Sequence, residues 1–133
     1  MSHETSVYAG KVIHYRDLTG IIVHTAFDVY HALGRGLRER VYAGGLALAL
    51  AKQGLSIAQE KPFPVMLKGE KVGEIRVDLD VQELVIVECK AAKDGFCPTA
   101  KAQALSNIRV CGRPIGLLIN FYGPELRVKR FIR

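Results

Sequence analysis

Residues 74–92 read EIRVDLDVQELVIVECKAA, and this stretch constrains the fold more than any other. The alternation up to Val81 and the run Leu84-Val85-Ile86-Val87 predict a β-hairpin whose second strand is buried. Yet that apolar strand leads straight into Glu88-Cys89-Lys90. With a loop of about three residues centred near Glu83, Asp78 lies opposite Glu88 and Arg76 opposite Lys90. Strand side chains alternate, so Glu88 and Lys90 share a face and Cys89 points to the other. Two carboxylates at a cross-strand distance of ~5 Å repel each other. A divalent cation is one natural remedy, because carboxylate oxygens completed by water and substrate phosphate suit Mg²⁺ or Mn²⁺. Lys90 then stands where an amine can orient or help to deprotonate an attacking water and stabilise developing charge. The plainer alternative is an ordinary Asp78–Lys90 ion pair with Glu88 solvated at a strand end.

Around this hairpin the order is helix, helix, several strands, helix, strands. Leu18, Ile21, Ile22, Ala26, Val29, Tyr30 and Leu33 recur at helical spacing, with Asp17 or Thr19 as cap and Gly34 and Gly36 as stop. A second helix, LRERVYAGGLALALAKQG, closes at Gly54. Its Gly44-Gly45 pair weakens a helix and implies close approach of another element. Short strands over 56–60 and 63–68 and a turn at Lys68-Gly69-Glu70 precede the hairpin, whose strands are expected at 72–80 and 84–90. Pro98 opens a third helix ending near Gly112. PIGLLINFYG then reads as a buried strand and LRVKRFIR as a basic edge strand. Residues 1–16 lack periodicity and read as an arm or a first short strand. The order predicts one mixed α/β layered domain spanning 1–133.

Composition narrows the setting. The chain has 133 residues, nearly half of them hydrophobic, enough for one domain with a real core. Nineteen Lys and Arg against 13 Asp and Glu give a net charge of +6, compatible with a polyanionic partner. Cys89, Cys97 and Cys111 form no CxxC pair, which argues against a disulfide scaffold or zinc knuckle and for a reducing compartment. His3, His14, His24 and His31 lack metalloprotease spacing. No signal peptide or bilayer-length apolar run is visible, so a cytoplasmic, soluble protein is expected.

One more acid belongs with the pair. Glu39 opens the second helix, Tyr42 follows three residues on along the same face, and Arg35, Arg38 and Arg40 surround it. Glu39 also suits a surface ion pair, and Tyr42 a core aromatic with its hydroxyl at the rim. Gly36-x-x-Glu39-x-x-Tyr42, then Asp78, then Glu88-Cys89-Lys90-Ala91, with GLLINF at 116–121, resemble the GxxExxY proteins of the PD-(D/E)XK nuclease superfamily.

The resemblance implies a restriction-endonuclease-like core, a central mixed β-sheet flanked by helices. It implies a metal site of Asp78 and Glu88, with Glu39 and the backbone carbonyl of Cys89 as further ligands. It also implies Lys90 as the catalytic lysine. On the third helix Gln103 fits the glutamine of a QxxxY motif, whereas Asn107 stands where tyrosine is usual and Ala100 where histidine often is. Asn offers no ring for stacking. Gln103, Tyr42, Arg38 and Lys101 are the expected nucleic-acid contacts, with Arg35, Lys93, Arg109 and Arg113 as further cations for phosphate.

The leading expectation is a Mg²⁺- or Mn²⁺-dependent nuclease hydrolysing phosphodiester bonds in DNA. The alternative is a catalytically inactive domain of the same fold that binds nucleic acid or protein. A third role, assembly into a homodimer through the basic last strand, is compatible with either.

Overall fold

A computed structural model describes residues 4–133; His3 and the start of the expected arm lie outside the described residues. The rest of the arm is a hairpin of β1 (Thr5–Tyr8) and β2 (Lys11–His14). Ala9 and Gly10 both take positive φ at its tip, as a two-residue mirror-image turn requires. Gln82 fixes this hairpin to the body of the protein: its amide donates to Ser6 Oγ and to the Val7 carbonyl.

Helix α1 (Tyr15–Leu33) begins two residues before the expected start. His14 caps it, with Nδ1 accepting from the Arg16 N–H at 3.2 Å. Asp17 instead sits in the first turn, where a carboxylate favours the helix dipole. Helix α2 (Glu39–Lys52) follows. Of its glycine pair, Gly45 accounts for the close approach: a Cβ there would lie 3.2 Å from Val29 and 3.3 Å from Leu33 of α1.

Five strands then form the central sheet, β3 (Ile57–Leu67), β4 (Glu70–Val81), β5 (Val85–Lys90), β6 (Ile115–Asn120) and β7 (Arg127–Ile132), in that spatial order. Helix α3 (Pro98–Cys111) connects β5 to β6, which run parallel; every other pair in this sheet is antiparallel. The two short strands expected over 56–68 are one strand. It runs through Pro62, and its irregularity is confined to Glu60, at φ +49, and a shift at Val65/Met66.

Helices α1 and α2 cover one face. Leu18, Ile22, Leu46 and Leu50 are fully buried against Val85, Val87, Cys89, Leu117 and Phe121, each large side chain contributing ~1.5–3 kcal/mol. Helix α3 covers the other face, where Ile86, Val77, Phe63 and Cys111 cluster. Within β5 the alternation therefore carries Cys89 toward α1 and α2, and Glu88 and Lys90 toward α3. Under α3 the buried carboxylate of Asp80 is held by Arg113, at 3.1 and 2.7 Å, and by Lys61 at 3.4 Å. Arg113 is thus neutralised inside the protein, which removes it from the expected phosphate contacts.

Helix α3 presses closely on β6 at Gly116, where an added Cβ would stand 2.6 Å from Ile108. Gly116→Ala is expected to cost about 1–3 kcal/mol by overpacking. Combined with Ile108→Ala it should cost clearly less than the two single changes together, as urea denaturation of the double-mutant cycle would show.

Candidate active site

The loop between β4 and β5 is Gln82–Leu84, centred on Glu83 as the sequence predicts. Strand pairing runs from Val81↔Val85 to Leu79↔Val87 and stops there. Asp78 and Glu88, next in the same register, are linked by a side-chain hydrogen bond. Beyond that point the strands part. The Cys89 N–H has lost its ladder partner, and the Asp78 carboxylate accepts it at 2.7 Å. In a strand the C=O of a residue points the same way as its N–H, so the Cys89 carbonyl is directed toward the Asp78 side of β5. Arg76, expected opposite Lys90, is carried away by the divergence: it donates to the Glu60 carbonyl and pairs with Glu74.

Burial and the neighbouring Asp78 charge push the Glu88 carboxyl up to about 8, against the pull of an Asn107 hydrogen bond and the Lys90 charge. Asp78 is also raised, by burial, although the Cys89 N–H and Lys90 oppose the shift. At neutral pH the pair accordingly holds one proton, donated from Glu88 to Asp78. Glu39, at the first turn of α2, feels both Lys90 and Asp78, and partial burial raises its carboxyl. The chain thus brings Asp78, Glu88, Lys90 and Glu39 together from three elements.

Two clefts meet at Glu39. One, of about 240 Å³, includes Lys90, Ala100 and Gln103 in its lining; the other, of about 350 Å³, includes Asp78, Glu60, Gln59, Gly44 and Arg40. Gln103 faces the site as expected. Asn107 lies in the same row but acts on Glu88, donating to its Oε1 at 3.2 Å, rather than reaching toward phosphate. Lys101 is exposed and sits about 200° round the helix from Gln103, away from the cleft. Arg38 is exposed immediately before Glu39.

Tyr42 does not serve as a nucleic-acid contact, because it is fully buried. Its ring stacks on Phe121 at 4.5 Å, and its hydroxyl donates to the Gly34 carbonyl and accepts the Leu37 N–H. It anchors the loop that delivers Glu39.

Two residues escaped the sequence reading. Glu60, turned by its positive φ, adds charge beside Asp78; the apparent break between two predicted strands was its only trace. Asn120, paired with Lys90 in the ladder, clasps the peptide after it: Oδ1 accepts from Ala92 N–H, and Nδ2 donates to Ala92 O at 2.9 Å. A polar residue inside GLLINF was the available signal. The Cys89 thiol is buried on the opposite face and held well above its ordinary range by that burial. All three cysteines are free.

The sequence profile of the PD-(D/E)XK nuclease superfamily matches residues 16–131. The chain belongs to the PD-(D/E)XK nuclease superfamily. None of the curated proteins matches it. Among solved structures, the crystal structure of SSO0001 is similar, with a TM-score of 0.53 at 14% identity. The likeness covers 70% of this chain and 48% of that one, so the present chain spans about half the length of its structural relative. At that identity the likeness concerns the fold alone. No helix among the described residues is long and apolar enough to cross a membrane.

PD-(D/E)XK nucleases typically use divalent metals, and the donor set here fits a hard cation in part. Asp78 and Glu88 converge, share a proton that an ion would replace, and have a backbone carbonyl directed beside them. No three His, Cys, Asp or Glu side chains among the described residues gather closely enough to hold one ion. The fit is therefore for two carboxylates.

The shared proton has a measurable consequence. Glu88 titrates at 4.5 in its ordinary state and at about 8 here, so the folded protein binds the extra proton. Without metal, stability should fall as pH rises from about 4.5 to about 8. Glu88→Gln should flatten that decline and raise the thermal midpoint at pH 8 by several degrees, read by circular dichroism in a chelating buffer.

Proposed function

We propose that this chain is a Mg²⁺- or Mn²⁺-dependent nuclease that hydrolyses phosphodiester bonds in DNA. The observation that carries this reading is the contact between Asp78 and Glu88, made where the strands part and faced by Lys90 and Glu39. Burying two carboxylates against each other is costly for a protein that only binds, and becomes useful when a cation takes the place of their proton.

Asp78, Glu88 and the Cys89 carbonyl would hold the ion. Bound there, it supplies charge neutralisation on the phosphate and makes a coordinated water more acidic. The Lys90 amine, on the same strand face as Glu88, donates hydrogen bonds to a non-bridging phosphate oxygen and steadies the attacking water. Glu39 accepts a hydrogen bond from that water across the cleft and fixes its direction. Gln103 binds the strand beside Lys90, and Arg35, Arg38 and Arg40 supply sequence-independent phosphate attraction. The Asn107 amide keeps Glu88 turned toward Asp78. Three free cysteines suit a reducing compartment such as the cytoplasm. The outer edge of β7 exposes Arg127, Lys129 and Arg130, cations that oppose edge-to-edge dimerisation and favour a polyanion.

One observation favours a second reading, an inactive nucleic-acid-binding domain: among the described residues no third His, Cys, Asp or Glu side chain gathers with the pair closely enough to hold one ion. Cleavage assays on single strands, duplexes, flaps and junctions separate the two. The nuclease reading expects Mg²⁺-dependent cutting that falls at least ~100-fold in Asp78→Ala and Lys90→Ala. Absence of cutting on every substrate, with salt-sensitive binding that survives chelation and alanine at Asp78, Glu88 and Lys90, would establish the binding domain instead.

A further inference from the structure

One cavity takes no part in the chemistry proposed above. It measures about 540 Å³ and is lined by Arg35, Gly36, Leu37, Ala91, Phe121 and Tyr122, within the ~300–1,000 Å³ typical of small-ligand sites. None of the six is acidic. Leu37 and Tyr122 are 39% and 42% exposed at its rim, and Arg35 is exposed beside them. An exposed phenol ring, an aliphatic wall and a guanidinium complement a flat heterocycle that carries an anion.

The walls are fixed from within. Tyr42 ties Leu37 N–H and Gly34 O to α2 at 3.2 and 2.6 Å. Phe121 lies flat against the Tyr42 ring. The Tyr122 N–H donates to Asn120 Oδ1 at 3.2 Å, and Tyr30 donates its hydroxyl proton to the Gly123 carbonyl. A site built this way loses little freedom when it is filled.

It is also tied to the reacting groups. The Cα of Ala91 is ~3.8 Å from that of Lys90, the Phe121 N–H donates to the Lys90 carbonyl at 2.8 Å, and Leu37 lies two residues before Glu39. The hollow thus adjoins the end of the strand that carries Lys90.

We propose that the cavity is a base-binding subsite, in which Tyr122 stacks on one unpaired nucleobase of the substrate strand and Arg35 contacts its phosphate. The inference rests on the nucleic-acid part of the reading above. It supplies, from the loop after β6, the aromatic ring that α3 lacks at Asn107. Paired bases are already stacked within a duplex, so the subsite selects strands with an unpaired nucleotide beside the scissile phosphate: a single strand, an overhang or a flap.

The test is binding of oligodeoxynucleotides that carry the fluorescent base 2-aminopurine, measured with chelator present so that no strand is cut. The overhang probe should bind more tightly than a blunt duplex, with its fluorescence quenched by stacking. Tyr122→Ala should weaken overhang binding about tenfold and abolish the quenching, Tyr122→Phe should preserve both, and Arg35→Ala should lower the salt slope by about one. Circular dichroism of each variant checks that the exposed substitution leaves the fold intact.

Equal affinity for overhang and blunt probes, or unchanged binding and quenching in Tyr122→Ala, would overturn the subsite. Cleavage of the same probes in Mg²⁺ is scored separately. A protein that cuts while Tyr122→Ala binds unchanged refutes the subsite alone. Tyr122-dependent binding by a protein that never cuts upholds the subsite and refutes the nuclease.

Discussion

The hydrogen bond from the Cys89 amide to the Asp78 carboxylate, 2.7 Å long, stands where β4 parts from β5, and much of the site depends on that parting. Had the ladder continued, the amide would have met a strand carbonyl and the Asp78 carboxylate would have gone without this bond. Because the strands split, a carboxylate substitutes for the missing strand partner and is drawn into the sheet beside Glu88. A buried backbone N–H must find an acceptor, so the fold itself enforces the crowding of two acids. Burial does the rest: it raises both carboxyls and leaves one proton between them.

Surrounding elements serve this junction. The parallel β5–β6 pair, closed by Asn120 and by the Phe121 amide on the Lys90 carbonyl, sets where the lysine leaves the sheet. Helix α3 reaches across with Asn107 to hold Glu88. Helix α2 presents Glu39 from the opposite side, its approach fixed by the buried Tyr42 hydroxyl and by the contact of Gly45 with α1. The internal ion cluster of Asp80, Arg113 and Lys61 lies under α3, where it ties that helix's C-terminal end to the sheet.

Much of this was legible in the chain. Binary patterning located every helix and both hairpin strands, because each buries one consistent face. The loop centred on Glu83 gave the Asp78–Glu88 register correctly, since a single count of loop residues determines it. What failed were features set by tertiary geometry. Arg76 was paired with Lys90 on the assumption of an unbroken ladder, and nothing local marks where two strands diverge. Tyr42 read both as a nucleic-acid contact and as a core aromatic, because helical spacing to Glu39 does not show which side of the face is covered; it is the latter. Arg113 counted as a free cation because its partner, Asp80, is distant in sequence. His14 capping and the continuous β3 are local corrections, where side-chain hydrogen bonding and one positive φ overrode propensity.

Metal occupancy of the carboxylate pair is the point on which the chemistry turns. Crystals soaked in Mn²⁺ and measured near the manganese edge should show an anomalous peak between Asp78 and Glu88, close to the Cys89 carbonyl, with the Lys90 amine directed toward it. No peak at a concentration that saturates other manganese proteins, or a peak with Asp78 and Glu88 turned apart, would contradict the assignment of this junction as the metal centre.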